Sequence, residues 1–152
     1  MRYLPLLLLA FVSFIGCKKS EDTPYQAPGI HAKIQNSPVS FTAGIVSVKQ
    51  NHQGMEVVAV AAETPSGQML AIGVAKPGTL TTGVYTGTGS TGGVGYIEYN
   101  DGIKTYESDS DCVITVTHLD AASIRGTFSA TVTPQSGGVI TSITEGSFSI
   151  AF

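Results

Sequence analysis

Four sets of residues in this sequence have the types and spacing that could do chemistry. Gly87-Thr88-Gly89-Ser90-Thr91-Gly92 fits the spacing G-x-G-x-x-G, whose glycines let a backbone approach pyrophosphate at a helix N-terminus. Here an alternating segment, Val94 to Tyr99, comes next where that site needs a helix, so the stretch reads as a Gly/Thr loop. Glu98, Asp101, Glu107, Asp109 and Asp111 hold five of the eleven carboxylates. Glu107, Asp109 and Asp111 are the candidate metal ligands, because Asp109-Ser110-Asp111 offers hard oxygens to a cation such as Ca²⁺. An EF-hand loop is excluded: counting from Asp109, the sixth position is not Gly and the twelfth is Asp120. Alternation along Tyr106 to Asp111 favours another role, acids on the solvent side of an edge strand, where like charge blunts pairing with other chains.

His31, His52 and His118 fall in different segments without ligand spacing, and Cys112 sits on an inward parity. Cys112 therefore reads as a small buried hydrophobe rather than a zinc ligand. No G-x-S-x-G or S-x-x-K surrounds any Ser, so no nucleophile is marked. No cofactor is implied. Tyr96 and Tyr99 are candidate ligand-binding residues, a pair of aromatics able to stack on a sugar if exposed.

Positioning these residues falls to the chain beyond an N-terminal leader. Met1-Arg2 opens an almost unbroken apolar run to Gly16, shorter than the roughly 20 residues a membrane span needs and suited to the core of a secretory signal. Phe14-Ile15-Gly16-Cys17 resembles the lipobox of bacterial lipoproteins, which implies cleavage before Cys17 and acyl chains on that residue. Two or more chains hold a protein on a membrane where one does so marginally. Lys18 to Pro28 is polar with two Pro, a tether reaching roughly 35 to 40 Å when extended. Its Ser20-Glu21-Asp22 is similar to the acidic export signals of Bacteroidota-type lipoproteins. The expected organisation is a signal peptide at 1–16, lipidated Cys and tether at 17–29, and one domain at 30–152.

After position 16, 41 of 136 residues are Ile, Val or Thr, types that pack well on a pleated surface and lose rotamer freedom on a helix. Seven Lys and Arg against eleven Asp and Glu leave that part at net −4, without the basic face that nucleic acid requires. Alternation predicts a hairpin of Ile30–Gln35 with Val39–Ile45, the latter placing Val39, Phe41, Ala43 and Ile45 inward. Met55–Glu63 is apolar on both parities, as for a strand covered on both faces. Gln68–Ala75, Thr79–Thr86, Val94–Tyr99, Cys112–Leu119, Ile124–Thr133 and Gly146–Phe152 come after it, with Phe128, Phe148, Ile150 and Phe152 inward. Eight to ten short strands without a helix imply an all-β antiparallel sandwich or barrel.

Thr115-Val116-Thr117-His118-Leu119-Asp120, Ile124-Arg125-Gly126-Thr127-Phe128-Ser129-Ala130 and Ile143-Thr144-Glu145-Gly146-Ser147-Phe148 resemble a strand pattern typical of a domain-of-unknown-function family of small Bacteroidota lipoproteins. Ser40-Phe41-Thr42-Ala43 and Gly83-Val84-Tyr85 are similar to that family's earlier strands. The resemblance implies an all-β lipoprotein domain and supplies no catalytic residues. The expectation is a cell-envelope lipoprotein of the outer membrane, periplasmic or surface-exposed. It would be non-catalytic and bind another envelope protein or an extracellular polymer from the loops 50–54, 87–93, 100–111 and 133–138. Two alternatives are a closed barrel with a small apolar ligand inside, and a hydrolase built on two of the carboxylates between 98 and 111. The first needs an interior cavity of several hundred Å³. The second needs two acids facing each other across a groove.

Overall fold

The computed structural model describes residues 27–90 and 92–152; Cys17 and the tether up to residue 26, with their expected lipidation, lie outside them. The described residues form no helix. Their strands are β1 (Gly29–Ile34), β2 (Ser37–Phe41), β3 (Ala43–His52), β4 (Met55–Glu63), β5 (Met69–Pro77) and β6 (Gly83–Thr86). They continue with β7 (Val94–Asn100), β8 (Thr105–Ser108), β9 (Val113–Leu119), β10 (Ser123–Pro134) and β11 (Thr141–Ala151), one more than the upper count expected from sequence.

All eleven belong to one sheet, in the order β2-β1-β11-β10-β9-β6-β7-β5-β4-β3, with β8 joining β7 to β10. The two ends of that order are halves of one bent run of chain. β2 leaves β1 at Phe41, and Thr42 at once donates its N–H to the Glu63 carbonyl of β4 at 3.0 Å. The sheet therefore closes into a small barrel with extra strands. β8 and β9 share one lane, pairing with the end and the beginning of β10 respectively, and β6 is wedged between β9 and β7. Closure leaves an entry rim, where the chain arrives at Gly29 and ends at Phe152. The opposite rim carries the turns at 35–36, 64–67, 101–104 and 135–140.

The inward residues form one continuous core, from Ile30 through Ile72, Ile97 and Ile114 to Ile150, none more than 8% exposed. Among the described residues the barrel interior is therefore filled by side chains. Two aromatics lock its C-terminal side. Gly126 pairs with Phe148 and Phe128 with Gly146, so each ring lies over the glycine of the facing strand. A Cβ on Gly146 would stand 2.5 Å from the Phe128 ring, and one on Gly126 would stand 2.7 Å from Phe148. Glycine at both positions is what lets the rings come this close to the facing backbone.

The inward parities of β5, β9 and β10 agree with the sequence: Leu70, Ile72, Val74, Cys112, Ile114, Val116, Phe128, Ala130 and Val132 are all buried. The first hairpin turns on Gln35 and Asn36, both at positive φ (49° and 68°), the conformation of a two-residue type I′ turn. Three expectations are corrected. In β3, Ala43 and Ile45 are exposed: the chain bends after Phe41 to pair Ala43 with the outward Glu63, and the register to β4 then shifts between Ala43 and Val46, where Gly44 is left-handed (φ 55°). In β4, the second apolar parity is uncovered: Val58, Val60 and Ala62 are buried while Ala59 is exposed. Phe152 lies beyond β11 at the surface, with the Lys49 ammonium 5.8 Å from its ring centre.

Candidate functional site

Antiparallel register carries one outward parity across four neighbouring strands. Val46 and Val48 of β3 pair with Ala61 and Ala59 of β4, those with Ala71 and Gly73 of β5, and those with Glu98 and Tyr96 of β7. Register partners share a face, so the outer wall of β3–β4–β5–β7 is a floor of Ala and Gly. Val46 and Val48 edge one side and Val94 and Tyr96 the other. Val46 is 58% and Tyr96 39% exposed. Nothing among the described residues covers this face. At a strand spacing near 4.8 Å, the floor between the two ridges is roughly 10 Å wide, room for one extended chain.

The upper corner of this face carries carboxylates. Glu98 and Glu107 are register partners on β7 and β8, side by side on one sheet rather than across a groove. The Tyr96 hydroxyl donates to Glu98 at 3.4 Å. Partial burial, helped by the carboxylates of Glu107 and Glu98, pushes its pKa above the usual phenol range. Tyr99, three residues on, faces the opposite way: it is 4% exposed and meets Phe41 edge to face at 6.4 Å. Tyr96 and Tyr99 therefore cannot stack on one ligand, and only Tyr96 is presented.

The three acids named as metal candidates are separated. Glu107 accepts from the Gln135 amide, Asp109 from the Thr133 hydroxyl at 2.8 Å and Asp111 from the Thr131 N–H at 3.1 Å. No group of three His, Cys, Asp or Glu side chains stands close enough to hold a metal among the described residues. Nor is their segment an edge: β8 pairs with β7 on one side and β10 on the other, so these acids stitch β8 and the turn after it onto β10. The pairing with β10 joins residues far apart in sequence, beyond the reach of local alternation.

The remaining sequence candidates are structural. Cys112 is buried, and burial raises its thiol pKa, keeping it protonated. His31 bonds Ser40 at 3.0 Å and His118 bonds Asp120 at 3.0 Å, on different strands. The Gly87–Gly92 stretch runs from β6 straight to β7, with turn hydrogen bonds Gly89 N–H to Thr86 and Gly92 N–H to Gly89, and no helix comes after it. Two turns do place carboxylates firmly. Asp101 accepts the N–H groups of Ile103 and Lys104 at 2.8 and 2.7 Å, and Asp120 those of Ala122 and Ser123 at the same distances. Those backbone bonds hold both carboxyls below the usual range.

Two concavities open to solvent. One, of about 310 Å³, lies on the outer face of β9–β10–β11 among Thr115, Thr127, Ser129, Glu145 and Ser147. The other, about 300 Å³, lies at the entry rim around Lys76, Thr81 and Tyr85. Neither the outer faces nor these concavities were singled out from sequence. Their signal is the outward parity, Ala and Gly at the middle of β4 and β5 but largely Ser and Thr in β10 and β11. No protein family, curated protein or solved structure matches this chain.

Proposed function

We propose that this protein is a lipid-tethered, non-catalytic binding module of the bacterial cell envelope, and that it holds another envelope protein on the outer face of β3–β4–β5–β7. The observation that carries this reading is the uncovered Ala/Gly floor between the Val46–Val48 and Val94–Tyr96 ridges. An apolar face poor in hydrogen-bonding groups suits the side chains of an extended protein segment better than a hydroxyl-rich polymer. The floor and ridges span roughly 300 Å² at ordinary strand dimensions, against the roughly 800 Å² per partner of a stable complex. A contact that small is useful when both partners are held at one membrane, where tethering raises effective concentration. The Gly16-Cys17 junction and the polar tether supply such an anchor, and the chain enters the barrel at the rim opposite the 101–104 and 135–140 turns. The side-chain-filled interior and the side-by-side placing of Glu98 and Glu107 favour the partner-binding reading over an interior ligand or a paired-carboxylate hydrolase.

The test is site-specific photocrosslinking of the full-length protein in its own envelope, with the probe at Ala59, Ala71 or Ser129. The expected result is one identified envelope protein captured from positions 59 and 71 and not from 129. Purified, that protein should bind the wild type at least tenfold more tightly than Ala71→Glu. Capture that is equal at Ser129, or that yields only a second copy of this chain, would overturn the reading.

A further inference from the structure

We infer that the outer face of β9, β10 and β11 carries a separate binding site, for a saccharide, centred on Glu145. This inference goes beyond the partner-binding reading and uses different strands. In the β10–β11 ladder Phe128 pairs with Gly146 and Ala130 with Ile143, so Thr144 and Glu145 together oppose the single Ser129. That bulge re-aims the second residue. Glu145 sits at φ 49°, a left-handed conformation that side chains other than glycine's rarely adopt. The chain keeps a carboxylate where glycine would rest without strain, and backbone outliers of this kind gather at functional sites.

The bulge overlooks the concavity of about 310 Å³, at the small end of the range of ligand pockets, about 300 to 1,000 Å³. Four hydroxyls line it, from Thr115, Thr127, Ser129 and Ser147, with the Val113 side chain beside them and Phe128 and Gly146 in its floor. Thr127 and Ser129 are exposed, and the hydrogen bonds among the described residues engage none of the four hydroxyls. Lys33 holds Oε1 of Glu145 at 2.7 Å, which fixes the carboxylate and leaves Oε2 to accept from a ligand.

The lining selects the ligand class. An anion would have to compete with Glu145 for Lys33, which already holds that carboxylate. A hard cation needs six to eight oxygens with more than one carboxylate in most protein sites, and one is present. A wholly apolar ligand would strip water from four hydroxyls without replacing their bonds. A sugar ring brings hydroxyls that both donate and accept, and a C–H face to lie on the exposed Val113 side chain.

The test is NMR titration of the ¹⁵N-labelled full chain in detergent with glucose, galactose and N-acetylglucosamine and with their β-1,4-linked disaccharides. The expected result is saturable shifts of the Thr115, Thr127 and Ser147 amides with at least one probe. Affinity should fall tenfold or more in Thr127→Val and in Glu145→Gly. The glycine variant removes the carboxylate while relieving the strained backbone, so its loss of binding is not a loss of fold. Ala71→Glu, on the partner-binding face, should bind the saccharide as the wild type does. Absence of saturable shifts with every probe, shifts mapping to β4 and β5, or undiminished binding in both site variants would overturn the inference.

Discussion

The outer faces of β3–β4–β5–β7 and of β9–β10–β11 are built on the same interior and differ in almost everything else. Both sets of strands bury β-branched residues inward, with Ile72 and Ile97 on one side of the barrel and Ile114, Val132 and Ile143 on the other, all at 3% exposure or less. Outward, the first presents Ala59, Ala61, Ala71 and Gly73, the second Thr115, Thr127, Ser129 and Ser147. The hydroxyl face shows that this fold is content with a solvated exterior. The apolar face is therefore not a requirement of folding, and that is the reason to read it as a working surface.

The comparison breaks most visibly if the interiors are not equivalent. Phe128→Ala and Phe148→Ala should each destabilise the fold by about 3 to 5 kcal/mol, the loss expected on emptying a buried aromatic site. Denaturant titration checks this. Their outward neighbours Thr127→Ala and Ser147→Ala should stay within about 0.5 kcal/mol, the ordinary range for surface changes. A larger effect at Thr127 than at Phe128 would mean that β10 is offset by one residue.

Next in size are the glycines beneath the rings. Gly126→Ala and Gly146→Ala place a Cβ 2.7 Å and 2.5 Å from Phe148 and Phe128, and overpacking of this kind costs about 1 to 3 kcal/mol. Ala59→Ser and Ala71→Ser, on the open apolar floor, should lie within about 0.5 kcal/mol by the same titration. A large loss there would make that floor part of the fold's own packing rather than a binding surface.

A smaller effect separates the two Asp turns by pH. Asp101, on the β7 side, and Asp120, on the β9 side, have folded pKa values below their ordinary 3.8. Each contributes stability that is present above that ordinary value and is lost as pH falls through the lower folded value. The melting-temperature gap between wild type and Asp101→Asn, or Asp120→Asn, should be constant at neutral pH and close as the solution is acidified below 3.8. Each also has a side-chain bond at 3.0 Å, Asp101 from the half-buried Tyr106 hydroxyl and Asp120 with the exposed His118, so the Asp101 gap should be the wider. Smallest of all, Lys33→Met breaks an ion pair whose side chains are 39% and 68% exposed, and exposed pairs are worth about 0 to 1 kcal/mol. Calorimetry should show little change, whereas the same variant loosens Glu145 and weakens saccharide binding.

The all-β class and the inward set of β5, β9 and β10 were legible because alternation is a local signal and runs unbroken along each of those inward sets. The exposure of Ala43 and Ile45 was not, because the bend after Phe41 and the bulge before Val46 leave no mark in the alternation itself. The double pairing of β8 was equally hidden, since it depends on β10 arriving from elsewhere in the chain. Tyr96 and Tyr99 are separated by three residues, so their opposite facings result from the period of a strand and were there to be read. Glu145 was invisible, because nothing in Thr144-Glu145-Gly146 announces which residue takes the positive φ. The sheet faces read as binding surfaces were not legible either, since two adjacent strands of small outward residues form a surface only once register aligns them.

The pairing of β1 with β11 has a consequence in time. Gly29 meets Ser149 and Ile34 meets Ile143, so the first strand waits for the last, and contacts this distant in sequence form slowly because the loop between them must first close. Until β11 is made, the chain is an open ladder with bare edges, able to fold its local hairpins and unable to seal. The period of greatest exposure to misassembly is therefore the interval before the final strand arrives, and it shortens with anything that brings the two chain ends together early.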